Sequence, residues 1–237
     1  MLSAYKNIDI FGFEIDNHRL SRLQKTDLIK SIQVYSGDSK QIDFIEHNGS
    51  KLFDFVISNL PCDRIERTEI GRLRSHPNET FKTTRLDYLL LFRALASRED
   101  EGRSVFFFST DAPISHGQIK ASTQLMLYYL YENYHVDDLV EVSGELYARQ
   151  GAKYNIRILV VGKKRDVPIA DRDLLVKLVP SQLKYFNDYQ DLWLWSNRLI
   201  EKRYGEEEFD LSKAQQVNIY GDSETNQNFN DRYVHDL

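Results

Sequence analysis

The run Phe53-Asp54-Phe55-Val56-Ile57 is apolar, aromatic and β-branched, and it ends abruptly at Ser58-Asn59-Leu60-Pro61-Cys62. Such a run reads as a buried strand, and a proline just beyond it forbids the ladder to continue with normal hydrogen bonding. An amide, a rigid ring and the single cysteine of the chain therefore stand together at a strand's carboxyl end. In an open α/β sheet that end faces the ligand crevice.

The surrounding pattern predicts such a sheet. "NIDIFGFEID" reads as a strand with Glu14 and Asp16 at its exit, and "NHRLSRLQKTDLIKS" as a helix capped by Asp16 or Asn17. "IQVYSGDSKQI" is a second strand ending near Gly37-Asp38, and a turn at Asn48-Gly49 leads into the apolar run. "RLDYLLLFRALAS" and "QIKASTQLMLYYLYENY" read as helices whose Tyr and Phe residues serve the core, with the strand "SVFFFSTD" between them. "VDDLVEVSGELYA" and "NIRILVVGKK" predict an antiparallel pair turning at Gly151 and lying at the sheet's edge. Alternating strands and helices of this kind imply an α/β fold with a mostly parallel sheet. Beyond about residue 165 the pattern changes. "DLLVKLVPSQLKYF" suggests a short strand, followed by a helix rich in Tyr and Trp and a polar tail. Two segments result, a domain over 1–165 and a C-terminal extension over 166–237.

Composition narrows the class. At 237 residues, 41% hydrophobic and 28% charged, the chain suits a soluble globular protein with a sizeable core. One cysteine cannot form an intramolecular disulfide or a Cys-rich zinc site, which fits a reducing, cytoplasmic setting. The six histidines show no ligand spacing, so no metal is expected. No apolar run approaches the roughly 20 residues of a membrane span, and no signal-peptide pattern opens the sequence. A net charge of −5 gives no global attraction to nucleic acid, so a nucleic-acid role would need a local basic face. Residues 63–84 supply one, with Arg64, Arg67, Arg72, Arg74 and Lys82 in a polar stretch that reads as a mobile loop or lid.

Glu14, Asp38, Asn59 and Asp111 fall at successive strand ends, which a parallel sheet brings to one edge. A carboxylate there can accept from the hydroxyls of a ribose, and a short aspartate from an adenine amine. Each can equally cap the next helix. Asn59 and the backbone beside Pro61 offer a more specific chemistry. An exocyclic amine on a base is a poor nucleophile because its lone pair is delocalised into the ring. An amide oxygen and a rigid carbonyl that accept from this amine localise the pair and aim it at a methyl donor.

"GFEID", "GDS" and "FDFVISNLPC", in this order, resemble the motifs of N6-adenine DNA methyltransferases, above all the modification subunits of type I restriction systems and their phage- or plasmid-borne relatives. "ENYHVDDLVEVSGELYARQGAKYNIRILVVGKKR" is similar to the later part of that family, and the resemblance covers residues 8–165. It implies a Rossmann-like, S-adenosylmethionine-dependent methyltransferase sheet. Glu14, with Asp16 beside it, would bind the cofactor ribose and Asp38 its adenine, while Asn59, Leu60, Pro61 and Cys62 would form the catalytic turn. DNA would be the acceptor, and Arg64, Arg67, Arg72 and Arg74 its phosphate contacts; Lys153, Arg157, Lys163 and Lys164 are the alternative should those four not carry the binding.

Two departures accompany the resemblance. The family's turn is Asn or Asp, Pro, Pro, then an aromatic that stacks on a flipped base. Here Leu60 replaces the first proline and Cys62 the aromatic, a loss that Tyr147 or a residue of the arginine-rich loop could offset. The family's first strand and glycine-rich turn, expected roughly 20 to 30 residues before residue 8, are missing, and "VNIYGDSET" near the C-terminus is a poor substitute. The implied sheet thus lacks its first βα unit, and S-adenosylmethionine binding by this chain alone is expected to be weak. A missing N-terminal segment or further subunits would be partners. The alternative is a catalytically inactive methyltransferase-fold module that binds DNA or protein. Pro61-Cys62 also invites the cysteine-attack chemistry of cytosine-C5 methyltransferases, but "VFFFSTD" offers no glutamate to protonate the ring.

Overall fold

The computed structural model describes residues 9–14, 16–23, 32–36, 49, 51–61, 83, 85–110, 116–150 and 154–204. They form strands β1 (Ile10–Glu14), β2 (Ile32–Ser36), β3 (Phe53–Asn59), β4 (Arg98–Ser109), β5 (Tyr134–Val142), β6 (Ile156–Lys164) and β7 (Lys184–Phe186). The helices are α1 (Asn17–Leu23), α2 (Leu86–Ala96), α3 (Ala121–Asn133), α4 (Arg172–Leu178) and α5 (Tyr189–Tyr204). The chain divides into two compact units, 1–189 and 190–237. The second contains most of α5, and the sheets belong to the first.

Strands β1 and β2 run parallel in a two-stranded sheet, while the other five form a sheet of order β3-β4-β6-β5-β7. β4 is parallel to β3, whereas β6 is antiparallel to both of its neighbours, β4 and β5. The antiparallel pairing expected of the last two long strands is present, but its position differs from the expectation. β6 lies inside the sheet, and β7, parallel to β5, forms the edge. The short strand expected within "DLLVKLVPSQLKYF" is β7, and a helix that was not expected, α4, precedes it. Asp171 stops the preceding chain and caps α4, its Oδ1 accepting from the N–H groups of Asp173 (2.9 Å) and Leu174 (3.2 Å).

One face of the larger sheet carries the core. Phe106 and Phe108 of β4, Leu139 of β5 and Leu159 and Val161 of β6 pack with Met126, Leu127 and Leu130 of α3. α2 is buried nearly all round, including Tyr88 and Phe92, which explains why its sequence has no polar stripe. Backbone constraint fixes one approach to this core. Gly117 has φ +81°, and a Cβ there would lie 2.2 Å from the Leu183 carbonyl oxygen, which leaves room only for glycine.

β3 departs from the buried strand that its composition predicts. Val56 packs toward the core, yet Phe55 and Ile57, alternate residues on the opposite face, are 49% and 65% exposed. β1 and β3 do not pair. Between them lies a cavity of about 360 Å³ lined by Phe11, Gly12 and Phe13 of β1 and, on β3, by Phe53 and the residues from Phe55 to Asn59. One more parallel strand in that cleft would join the two sheets into one, and a helix after it would cover Phe55 and Ile57.

Candidate active site

The described site residues stand at the carboxyl ends of β1 and β3. β3 ends at Asn59, whose register partner on β4 is Phe107. Asn59 is exposed, and its side-chain amide makes no hydrogen bond among the described residues. Asn59 and Pro61 line the cleft between β1 and β3, while the rings of Phe11 and Phe53, 5.7 Å apart and edge to face, pack at the other end of the same two strands.

Leu60 has a different task. Its side chain is buried in the core, and its N–H donates to the Phe107 carbonyl at 2.7 Å. A proline at this position, the residue the family pattern carries, has no N–H to donate. The departure from the pattern thus adds one rung to the β3–β4 ladder and anchors the turn that presents Asn59. Cys62, the last residue of the expected catalytic turn, lies outside the described residues, as do Asp38, Asp111, Arg64, Arg67, Arg72 and Arg74.

At the end of β1 the two carboxylates act locally. Glu14 Oε1 accepts from the Asp16 N–H at 2.9 Å, and Asp16 Oδ1 accepts from the N–H groups of His18 (2.8 Å) and Arg19 (3.2 Å). Asp16 therefore caps α1, and these backbone donors hold its carboxyl below the usual range. Its engagement there favours the capping role over ribose binding. Glu14 retains a second carboxylate oxygen and sits opposite Ser36 in the β1–β2 register, two residues before Asp38.

A buried polar network supports the same end of the sheet, and motif reading misses it. Arg157 on β6 and Glu141 on β5 are 1% and 0% exposed and form an ion pair at 3.5 Å. Asn155 donates to Glu141 Oε1 at 2.8 Å and accepts from the Gly144 N–H at 3.1 Å. Arg157 also donates to the Gln118 carbonyl (2.8 Å) and to Thr123 Oγ1 (3.3 Å), and Thr123 shares a 2.7 Å hydrogen bond with the Tyr88 hydroxyl. Arg85 pairs with buried Asp87 through two nitrogens and lies 4.1 Å from the centre of the Tyr88 ring. Burial lowers the pKa of Arg157, with Glu141 opposing the shift. The network ties the start of α2 to the turn after β5, on either side of the β4 end. Its signal in sequence is a charge inside an apolar run: Asp87 in "RLDYLLL", Glu141 in "LVEV", Arg157 in "IRILVV".

Arg157 is thereby removed from the alternative set of DNA contacts, because its guanidinium is enclosed and paired. Lys163 and Lys164 pair with Glu101 (3.6 Å) and Asp100 (3.3 Å) at the opposite end of the sheet. Lys153 and the Tyr147 side chain lie outside the described residues.

No known family and no curated protein matches the sequence. Solved structures do match its shape. A protein from Listeria monocytogenes assigned as a class I S-adenosylmethionine-dependent methyltransferase superposes with a TM-score of 0.55 at 16% identity, over 84% of this chain and 57% of its own. The fold is that of the class I methyltransferases. A protein from Vibrio vulnificus assigned as the modification subunit of a type I restriction enzyme gives a TM-score of 0.52 at 15% identity, over 80% of this chain and 41% of its own. The chain thus spans about half the length of these two proteins. Among the described residues, no helix is long and apolar enough to cross a membrane.

Proposed function

We propose that residues 1–165 are the target-gripping part of a DNA adenine-N6 methyltransferase, with 166–237 as an extension, and that methyl transfer from S-adenosylmethionine takes place at the turn after β3. The observation that carries this reading is Asn59, exposed at the rim of the cleft between β1 and β3 with no side-chain hydrogen bond among the described residues. An acceptor amide held at a rigid strand end can bind an exocyclic amine and orient its lone pair, which is catalysis by positioning and electrostatics. Asn59 and the backbone at Leu60-Pro61 would hold the amine, with Cys62 lining the base pocket. Glu14 and Asp38 would hold the ribose and adenine of the cofactor, and the methyl group comes from the cofactor's sulfonium. The likeness in fold to a modification subunit supports this reading, as do the ordered motifs.

The cofactor's methionine end has no cradle among the described residues, because the cleft stands where that strand and its turn would enter. The chain of 237 residues is accordingly expected to bind S-adenosylmethionine with a dissociation constant weaker than about 10 µM, roughly −7 kcal/mol. Isothermal titration showing tighter binding would mean that another segment of this chain supplies the contacts.

DNA binding is expected to rest on Arg64, Arg67, Arg72 and Arg74, and to weaken steeply with salt as counterions are retained on the duplex. Replacing all four with glutamine is expected to remove most of the affinity and flatten the salt slope. Unchanged binding by gel shift would move the contact surface elsewhere. The second reading, a non-catalytic module that binds DNA or protein, is favoured by Leu60, whose side chain serves the core in place of a rigid proline. Methyl transfer by the complete protein to duplex DNA decides between the two.

A further inference from the structure

Three stretches of chain adjoin the carboxyl edge of the larger sheet, and one run of buried side chains holds an end of each. The arginine-rich stretch after β3 leads into α2, where Arg85 and the Tyr88 N–H donate to Asp87. The Tyr88 hydroxyl bonds to Thr123 of α3 at 2.7 Å. Arg157 donates to Thr123 and to the Gln118 carbonyl, which closes the stretch after β4. It also pairs with Glu141, and Asn155 links Glu141 to the N–H of Gly144, where the turn after β5 begins. The Asn155 carbonyl accepts from the Thr110 N–H at 3.1 Å, which ties the same residue to the end of β4. Asn155 is the point where the β4 end, the β5 turn and the ion pair join.

Stability alone does not call for these groups. A buried ion pair contributes little over apolar side chains of similar volume, whereas directional bonds select one geometry where apolar packing tolerates several. The turn has no slack either, because a Cβ on Gly144 would fall 2.7 Å from the Tyr154 carbonyl oxygen. Two stretches are expected to offer the ring or side chain that Cys62 lacks, the turn carrying Tyr147 and the arginine-rich stretch ahead of Arg85. Both are anchored by this one run of bonds. Asn59 ends the neighbouring strand, its register partner Phe107 standing two residues before the end of β4 at Ser109.

We propose that Asn155, acting with Glu141 and Arg157, is a positioning residue for methyl transfer. It touches neither base nor cofactor. It holds the turn after β5 and the starts of α2 and α3 in one arrangement, so that the walls of the base site stay in place when Asn59 grips the amine. The inference rests on the reading of Asn59 as the amine-gripping residue.

The test uses the complete protein, with any subunits that co-purify, on duplex DNA. Asn155→Ala releases the Gly144 N–H, and Glu141→Leu with Arg157→Met removes the ionic links while keeping the volume. Single-turnover methyl transfer is divided by the folded fraction from urea unfolding, and DNA affinity is read by gel shift. Each variant is expected to react about 10–10²-fold more slowly per folded molecule, the cost of a displacement of about 1 Å remote from the chemistry. Affinities for DNA and S-adenosylmethionine are expected to stay within about threefold of the parent, so kcat falls while KM holds. A network that only stabilises would lower the folded fraction and leave that rate alone. If one of the two variants does not fold, the other decides. A rate per folded molecule within about threefold of the parent would overturn the proposal and leave the reading of Asn59 standing. No transfer by the parent protein would overturn that reading and this inference with it.

Discussion

Replacing Glu141 with alanine is expected to destabilise the fold by about 3–5 kcal/mol, the cost of leaving a buried charge without its partner. Arg157 would remain enclosed at 1% exposure, and Asn155 would lose the acceptor it holds at 2.8 Å. Arg157 could not turn outward without releasing the Gln118 carbonyl and Thr123. The paired replacement Glu141→Leu with Arg157→Met is expected to recover much of the loss, because a buried ion pair contributes little net stability over an apolar pair of similar volume. Urea unfolding of the two single variants and the double variant measures both the loss and the coupling. A single variant within about 0.5 kcal/mol of the parent, the range of ordinary surface changes, would mean that the ion pair does not form.

The second large effect concerns catalysis. In a preparation of the complete protein that transfers methyl groups, Asn59→Ala is expected to lower kcat by about 10²–10³-fold, the usual consequence of losing one preorganised hydrogen-bond partner of the reacting group. The amide matters most when the amine's lone pair localises in the transition state, so kcat falls more than KM rises. Folding should be preserved, because Asn59 is exposed and makes no side-chain hydrogen bond among the described residues. Cys62→Ser is expected to leave most of the activity. Cys62→Tyr could raise it by restoring a stacking face, worth about 1–3 kcal/mol for a base. A kcat for Asn59→Ala within threefold of the parent would move the amine grip to another residue.

Much of the scaffold was legible because periodicity and punctuation agree. The apolar runs at Phe106–Phe108 and Leu159–Val161 are strands, the aromatic-rich stretches before and after β4 are helices, and Asp16 caps α1 as its position before "NHRL" suggests. Two features went unread for physical reasons. Ahead of the short strand β7, "DLLVKL" is too short for its apolar spacing to announce α4, and the cap at Asp171 decides it. β6 entered the sheet interior because the order of strands is a tertiary property that local pattern does not carry. β3 was expected to be buried on both faces, yet Phe55 and Ile57 stand in the open beside the cleft. Of the candidate site, the place of Asn59 at the end of β3 was legible from the strand-stopping proline. The Glu141–Arg157 network was not, because its members are distant in sequence and meet only through the β5–β6 register.

The most direct test of the account is the identity of the methylated base. Duplex DNA is incubated with S-adenosylmethionine carrying a labelled methyl group and the complete protein, with any subunits that co-purify, and the nucleosides are resolved by mass. N6-methyladenine that persists in Cys62→Ser and disappears in Asn59→Ala is the predicted result. Methylcytosine that disappears in Cys62→Ser, or no methylated base at all, would contradict it.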